Sequence, residues 1–222
     1  MPKEVNGLSP FLASRWCRFF PYLLAPDADV SIYVDGNIRI LGPLMPIIKD
    51  FLDSRHGMGL FRHPCRQNIR AEAKACVKYN KLDDHDLQLI WDQVLLYEKS
   101  GVPIQGKLTE NGVIFRNHHD TKLKETMELW WHELVHGVKR DQISLPWVRS
   151  KTKISTLVSN SYRENNPYFS GPFRHRPNSG KIGGFIQLIE ATRSDSIGRA
   201  ILYFCLQTAR KLKGRLSLHK SR

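Results

Sequence analysis

Several short stretches of this chain carry residue types whose spacing could do chemistry. His132-Glu133-Leu134-Val135-His136 spells H-E-x-x-H, in which two histidines one helical turn apart hold zinc and the glutamate serves as general base. Asp35-Gly36-Asn37 closes the run DVSIYV and offers a carboxylate and an amide at i and i+2. Beyond a strand end such a pair suits a hard divalent ion, and Gly36 lets a diphosphate approach the backbone. The same tripeptide is also an ordinary β-turn. In FRHPCRQNIRAEAKAC, His63 and Arg66 flank a proline and Glu72 follows in the next helix, so the arginine could grip a diphosphate or simply pair with surface charge. Arg116 and His118 take alternate positions of one run and so share a strand face. Asp141-Gln142 precedes an apolar helix, where the carboxylate is either a reactive group or an N-cap.

The elements that must position these groups follow from periodicity and punctuation. DVSIYV (29–34) reads as a buried strand, followed after the turn by IRIL (38–41); GLFRH (59–63) and GVIFRNH (112–118) read as further strands. Residues 8–26, interrupted by Pro10, Pro21 and Pro26, predict a short helix between irregular segments. Helices are expected over 44–54, 68–79, 84–99, 123–138 and 140–148. Residues 159–184 are loop-rich, and residues 196–213 form a basic amphipathic pattern. Short strands separated by helices predict an α/β domain with a mainly parallel or mixed sheet, occupying 1–222 as one unit.

Composition narrows the function classes. A hydrophobic share of 41% is that of a globular chain, and no apolar run approaches the roughly 20 residues of a membrane span. The N-terminal stretch lacks the charged-apolar-small order of a signal peptide, and four cysteines without a C-x-x-C pair predict free thiols in a reducing compartment, hence a cytoplasmic setting. The net charge of +13 favours polyanionic partners. No helix-turn-helix, finger or RNA-recognition signature is present, and the basic residues are not interleaved with aromatics as stacking platforms, so nucleic acid is not the expected partner. The basic pattern at 196–213 predicts either a helix docked on the core or peripheral contact with an anionic membrane.

Taken in order, DVSIYVDGNIRI, HPCRQNIRAEAKAC, YEKSGVPIQGKLTENGVIFRNH and WWHELVHGVKRDQISLPWV resemble the glycosyltransferase-like family known from plant proteins of seed mucilage and turgor regulation, also found in bacteria. The resemblance covers about residues 12–150. It implies a GT-A-like, Rossmann-like α/β fold with a mixed sheet, a nucleotide-sugar donor, a saccharide or lipid-linked acceptor, and a divalent cation such as Mn²⁺ or Mg²⁺. Carried over by position, Asp35 and Asn37 take the metal and diphosphate place. His63, Arg66 and Glu72 match the H-x-x-R and following Glu, and Glu110, Arg116 and His118 match E-x-x-x-I-x-R-x-H. Trp130, Trp131, Glu133, Arg140, Asp141, Gln142 and Ser144 match W-W-x-E … R-D-Q-x-S, with Asp141 and Gln142 as the expected catalytic pair. Two departures stand out: Asn37 replaces the usual acid, and the strand-helix segment that precedes this region in relatives is expected to be lacking.

The zinc peptidase is the competing reading of residues 132–136. The long metzincin form requires Gly and His at 139 and 142, where this chain has Lys139 and Gln142; a thermolysin-like third ligand has only Glu164 or Glu190 to draw on. The family resemblance accounts for Trp130, Trp131 and Glu133 and needs neither histidine.

Overall fold

The computed structural model describes residues 5–101, 108–162 and 166–172. The chain divides into two compact units, Met1–Asp35 with Leu44–Glu164, and Gly36–Pro43 with Asn165–Arg222. The first unit runs α1 (Pro10–Phe19), α2 (Pro21–Leu24) and β1 (Val30–Val34) before the chain crosses through β2 (Arg39–Ile40) of the second. It resumes with α3 (Met45–Asp53), β3 (Met58–Arg62), α4 (Ile69–Lys78), α5 (Asp84–Lys99), β4 (Thr109–Asn117), α6 (Leu123–His136), α7 (Asp141–Thr152) and β5 (Thr156–Ser159).

Helix starts follow local chemistry. Ser9 caps α1, whose first residue is proline, by accepting from the Leu12 amide at 3.3 Å. Asn68 and Asp83 cap α4 and α5, each accepting a third-residue amide at 2.8 Å. Three boundaries differ from expectation. Residues 8–26 form two helices because Phe20-Pro21 ends one and starts the next. Strand β4 begins at Thr109 rather than 112, since pairing with β3 reaches down to Arg62↔Thr109. Helix α7 runs to Thr152, through Pro146, because its buried Ile143, Leu145 and Val148 face two core clusters.

The sheet order is β1-β4-β3-β5, with β4 antiparallel to both neighbours and β3 parallel to β5. The sheet is therefore mixed, and the α/β expectation holds. Strand β5 was not foreseen: TLVS is four residues long and follows a helix without a turn signal. Met58, Leu60 and Ile114 face one side, packing on Trp16 and Phe19 of α1, Met127, Trp130 and Leu134 of α6, and Leu145 and Val148 of α7. Phe115 faces the other side against Phe51 of α3, ring centroids 5.5 Å apart. A second cluster joins α4, α5 and α7 through Ile69, Cys76, Ile90, Val94, Val138 and Ile143.

In the second unit, β2 pairs antiparallel with β6 (Phe169–Ser170), within the stretch expected to be loop-rich. Asn166 Oδ1 accepts from the Tyr168 and Phe169 amides at 2.9 Å and fixes the approach to β6. The basic pattern at 196–213 lies outside the described residues. Among the described residues no helix is long and apolar enough to cross a membrane.

Candidate functional site

Because β1, β3 and β5 run in one direction and β4 in the other, one edge of the sheet collects three carboxyl ends and the start of β4. That is where open α/β sheets place ligands. Asp35 stands there, one residue past β1, its amide donating to the Gly112 carbonyl at 2.7 Å. The Tyr33 hydroxyl donates to Asp35 Oδ1 at 2.7 Å, and Arg15 Nη1 lies 3.9 Å from the same oxygen. Burial, then the hydrogen bond to Asp35, raises the Tyr33 phenol above its ordinary value, so it remains a donor.

The first residue of α7 reaches the same edge. Asp141 Oδ2 accepts from Arg18 Nη2 at 2.5 Å and from Asn111 Nδ2 at 3.2 Å. Arg18 is buried at 1% exposure; it also donates to the Asn111 carbonyl at 2.6 Å and lies over the Tyr33 and Trp130 rings at 4.9 and 5.5 Å. Burial pushes the Asp141 carboxyl up, but the guanidiniums of Arg18, Arg15 and Arg140 and the Asn111 amide outweigh it and hold the group below its ordinary value. Asp141 is therefore an anion at neutral pH. Gln142 Nε2 donates to the Thr109 carbonyl at 3.1 Å, pinning α7 to the start of β4.

Past β3, the His63 amide donates to the Leu108 carbonyl at 2.7 Å, and His63 Nδ1 accepts the amides of Cys65 and Arg66 at 3.1 and 2.9 Å. His63 Nε2 lies 3.0 Å from Arg66 Nη1. Arg66 Nη1 donates to Glu72 Oε2. Glu72 is fully buried on α4; Cys76 Sγ donates to its Oε1 at 3.3 Å, and Arg140 Nη2 lies 3.9 Å from that oxygen. Glu110, also buried, accepts from Ser161 Oγ at 3.2 Å just past β5. The edge thus brings together Asp35, His63, Arg66, Glu72, Glu110, Arg140, Asp141 and Gln142.

The remaining family-matched positions lie elsewhere. Arg116 is buried and donates to the Arg18 carbonyl; burial and then Arg18 lower its guanidinium to about 9. It supports Arg18 from behind. His118 sits at the opposite end of β4, its Nε2 2.9 Å from Ser31 Oγ, and burial and then Arg116 lower its pKa. Trp131 packs on Phe19 and Phe20 with centroids 5.5 Å away in each case. Glu133 accepts from the Tyr97 hydroxyl, which itself takes a hydrogen bond from Gln93. Gln93 Oε1 accepts the Val138 amide at 2.7 Å, so Glu133 clamps α5 to the end of α6.

The H-E-x-x-H histidines point outward and stack on each other, centroids 4.2 Å apart. Among the described residues, the group of three metal-ligating side chains that comes together is Asp83, His85 and Asp86, remote in sequence from both. That acidic group already holds a cation: Lys139 Nζ lies 3.0 Å from Asp83 Oδ2 and 3.8 Å from Asp86 Oδ1, while its amide donates to Asp86 Oδ2 at 2.9 Å. The geometry lends the peptidase reading no support.

For a divalent cation, Asp35 offers a carboxylate with 34% of its side chain exposed. An oxygen donor of this kind fits Mg²⁺ or Mn²⁺. Asn37, in the second unit, has a buried Oδ1 with no hydrogen-bond partner among the described residues. The sequence reading missed Arg18, Arg15, Asn111 and Tyr33. Arg18 did leave a signal, a lone charge set among Trp16, Phe19 and Phe20.

Comparison with known proteins agrees with the earlier resemblance. Residues 13–166 match the model of the TOD1/MUCI70, glycosyltransferase-like domain. Over 148 residues, 63% of this chain, the sequence is 29% identical to the "Probable hexosyltransferase MUCI70" of Arabidopsis thaliana. The chain spans 25% of that relative's length. No solved structure matches. The family match covers well over half of the chain, from α1 through the start of the second unit's C-terminal part, and the chain belongs to the TOD1/MUCI70 glycosyltransferase-like family.

Proposed function

We propose that this chain transfers a sugar from a nucleotide-sugar donor to a saccharide or lipid-linked acceptor at the edge formed by β1, β3 and β5. The observation that carries the reading is the gathering there of family-matched residues with Asp141, a half-buried carboxylate held ionised beside Arg18. In the transfer, the anomeric carbon bonds to the acceptor hydroxyl oxygen as its bond to the diphosphate breaks; the electron pair leaves on the diphosphate, and the hydroxyl proton passes to the departing diphosphate oxygen or to solvent. Asp141 orients a sugar or acceptor hydroxyl by accepting its hydrogen bond. A carboxylate held below its ordinary pKa is a weak base, so orientation is its main contribution. Gln142, fixed on the Thr109 carbonyl, keeps the first turn of α7 in place beside it.

Asp35 is the residue of the first unit that would hold a divalent cation, which would supply neutralising charge to the leaving diphosphate. Tyr33 and Arg15 orient the Asp35 carboxylate for that task. Differential scanning fluorimetry with UDP, GDP and Mn²⁺ tests the reading on this chain and on an N-terminally extended version. A nucleotide-dependent rise in melting temperature, enhanced by Mn²⁺ and losing that enhancement in Asp35→Ala, is expected; no response to any nucleotide in either form sinks the proposal.

A further inference from the structure

We propose that His132 and His136, at the C-terminal end of α6, form a surface site for a transition-metal dication that prefers imidazole nitrogen. Zn²⁺, Ni²⁺ and Cu²⁺ belong to that class, whereas Mg²⁺ and Mn²⁺ prefer oxygen ligands. The site stands apart from the edge to which sugar transfer is assigned, and it is not a peptidase centre.

The geometry is that of a two-point chelate. Residues four apart on a helix stand one above the other on the same face. The two rings stack with centroids 4.2 Å apart and planes 28° from parallel, and both are exposed, His132 with 61% of its side chain open to solvent. His136 Nδ1 lies 3.0 Å from the His132 carbonyl. A carbonyl only accepts, so this ring nitrogen carries the proton and the lone pair of the neutral imidazole falls on Nε2. His132 Nδ1 lies 3.5 Å from Glu133 Oε1, a carboxylate that favours the same tautomer. Metal-ligating histidines are held in just this way, with the second ring nitrogen turned to a carbonyl or carboxylate. Metal–nitrogen bonds of about 2.0–2.1 Å let one ion bridge nitrogens about 3–4 Å apart, a span that exposed rings at this separation reach by small side-chain rotations.

Local electrostatics favour a cation despite the net charge of +13. The last carbonyls of a helix carry partial negative charge, and the Glu133 carboxylate adds to it. Lys139, the next cation along the chain, is drawn away to Asp83 at 3.0 Å. Glu133 itself accepts from the Tyr97 hydroxyl, so it secures helix packing and does not serve a metal-bound water as base. Among the described residues no other His, Cys, Asp or Glu completes a group of three with the two histidines, which leaves the other coordination positions to water. Two ligands supply roughly half the binding free energy of a four-ligand structural site, hence dissociation constants between micromolar and submillimolar. Such an ion is lost on dilution during purification and returns only when metal is supplied. Once bound, it ties residue 132 to residue 136, closes the last turn of α6, and stabilises the folded chain by mass action.

Isothermal titration calorimetry on the untagged chain, stripped with EDTA and desalted, tests the site. The probes are Ni²⁺ and Zn²⁺, with Mn²⁺ as the oxygen-seeking control. The variants are His132→Gln and His136→Gln, with His119→Gln as a control for an exposed histidine elsewhere. Either chelate substitution should weaken Ni²⁺ and Zn²⁺ binding at least about ten-fold, because one imidazole cannot chelate. His119→Gln should leave it unchanged, and Mn²⁺ should bind all forms alike. Ni²⁺ should also raise the melting temperature of the parent more than that of either chelate variant. Both rings face solvent, so equal melting temperatures in EDTA certify that the variants are folded. The site is overturned by Ni²⁺ binding that survives both substitutions, by loss in only one of them, which places the ion on a single histidine, or by no binding at millimolar Ni²⁺.

Discussion

Arg18 Nη2 and Asp141 Oδ2 lie 2.5 Å apart, joining the first helix to the first residue of α7 across 123 positions of sequence. Arg18 is buried among Tyr33, Trp130 and Phe19 while Asp141 is half-buried, and the same Nη2 also serves the Asn111 carbonyl. Removing the cation alone leaves an uncompensated charge in an apolar setting. Arg18→Met should therefore cost about 3–5 kcal/mol in urea unfolding. Arg18→Lys should recover little, because an ammonium cannot address two acceptors through a planar fork. Equal stability of Arg18→Met and the parent would remove Arg18 from the site.

The pH dependence of that pair has a definite sign. The folded-state pKa of Asp141 is depressed, so its contribution is present above the unfolded value, near 3.9, and is lost as pH falls through the lower folded value. The stability gap between the parent and Asp141→Asn should stay constant from neutral pH to about 5 and close below about 4. Urea titrations at several pH values measure this; a gap that closes between pH 6 and 8 contradicts the assignment.

Glu72 supplies a comparison of buried and exposed charge. Glu72→Gln leaves Arg66 and Arg140 without their shared counter-ion and should cost about 3–5 kcal/mol. Glu125→Gln, which breaks the exposed pair with Lys122 at 3.1 Å, should change stability by less than about 0.5 kcal/mol. Similar losses in the two variants would show that Glu72 is not the organising charge.

The H-E-x-x-H residues divide by burial. His132→Ala and His136→Ala should leave stability within about 0.5 kcal/mol, because both rings face outward. Glu133→Ala strips the Tyr97 hydroxyl of its acceptor and should cost about 1–3 kcal/mol. Zinc analysis of protein purified without chelator should show no zinc that either histidine variant releases.

Gly59 is required by a close approach. A Cβ there would lie 2.9 Å from the Phe51 ring and 3.0 Å from Phe115 Cβ, so α3 could not rest on the sheet as it does. Gly59→Ala should destabilise by about 1–3 kcal/mol, measured by thermal or urea unfolding. A smaller effect would mean that α3 shifts freely.

Much of the fold was legible along the chain, because local rules decide it. β-branched and aromatic residues at 30–34, caps at Asn68 and Asp83, and apolar spacing over 123–136 act within a few residues of themselves. Ordered motifs likewise marked the family, and with it Asp35, His63, Arg66, Glu72, Glu110 and Arg140–Gln142 as residues of interest. What the chain could not show locally was which of these share an edge. That depended on β4 running against β1 and β3, a pairing fixed by register between strands some 50 to 85 residues apart. The same long-range packing turned Glu133 into a clamp for Tyr97, sent His118 to the far end of β4, and placed Arg18 against Asp141. Residue type and spacing determined which groups can ionise, ligate or donate; burial and the neighbours brought by tertiary pairing decided which are paired and which are charged.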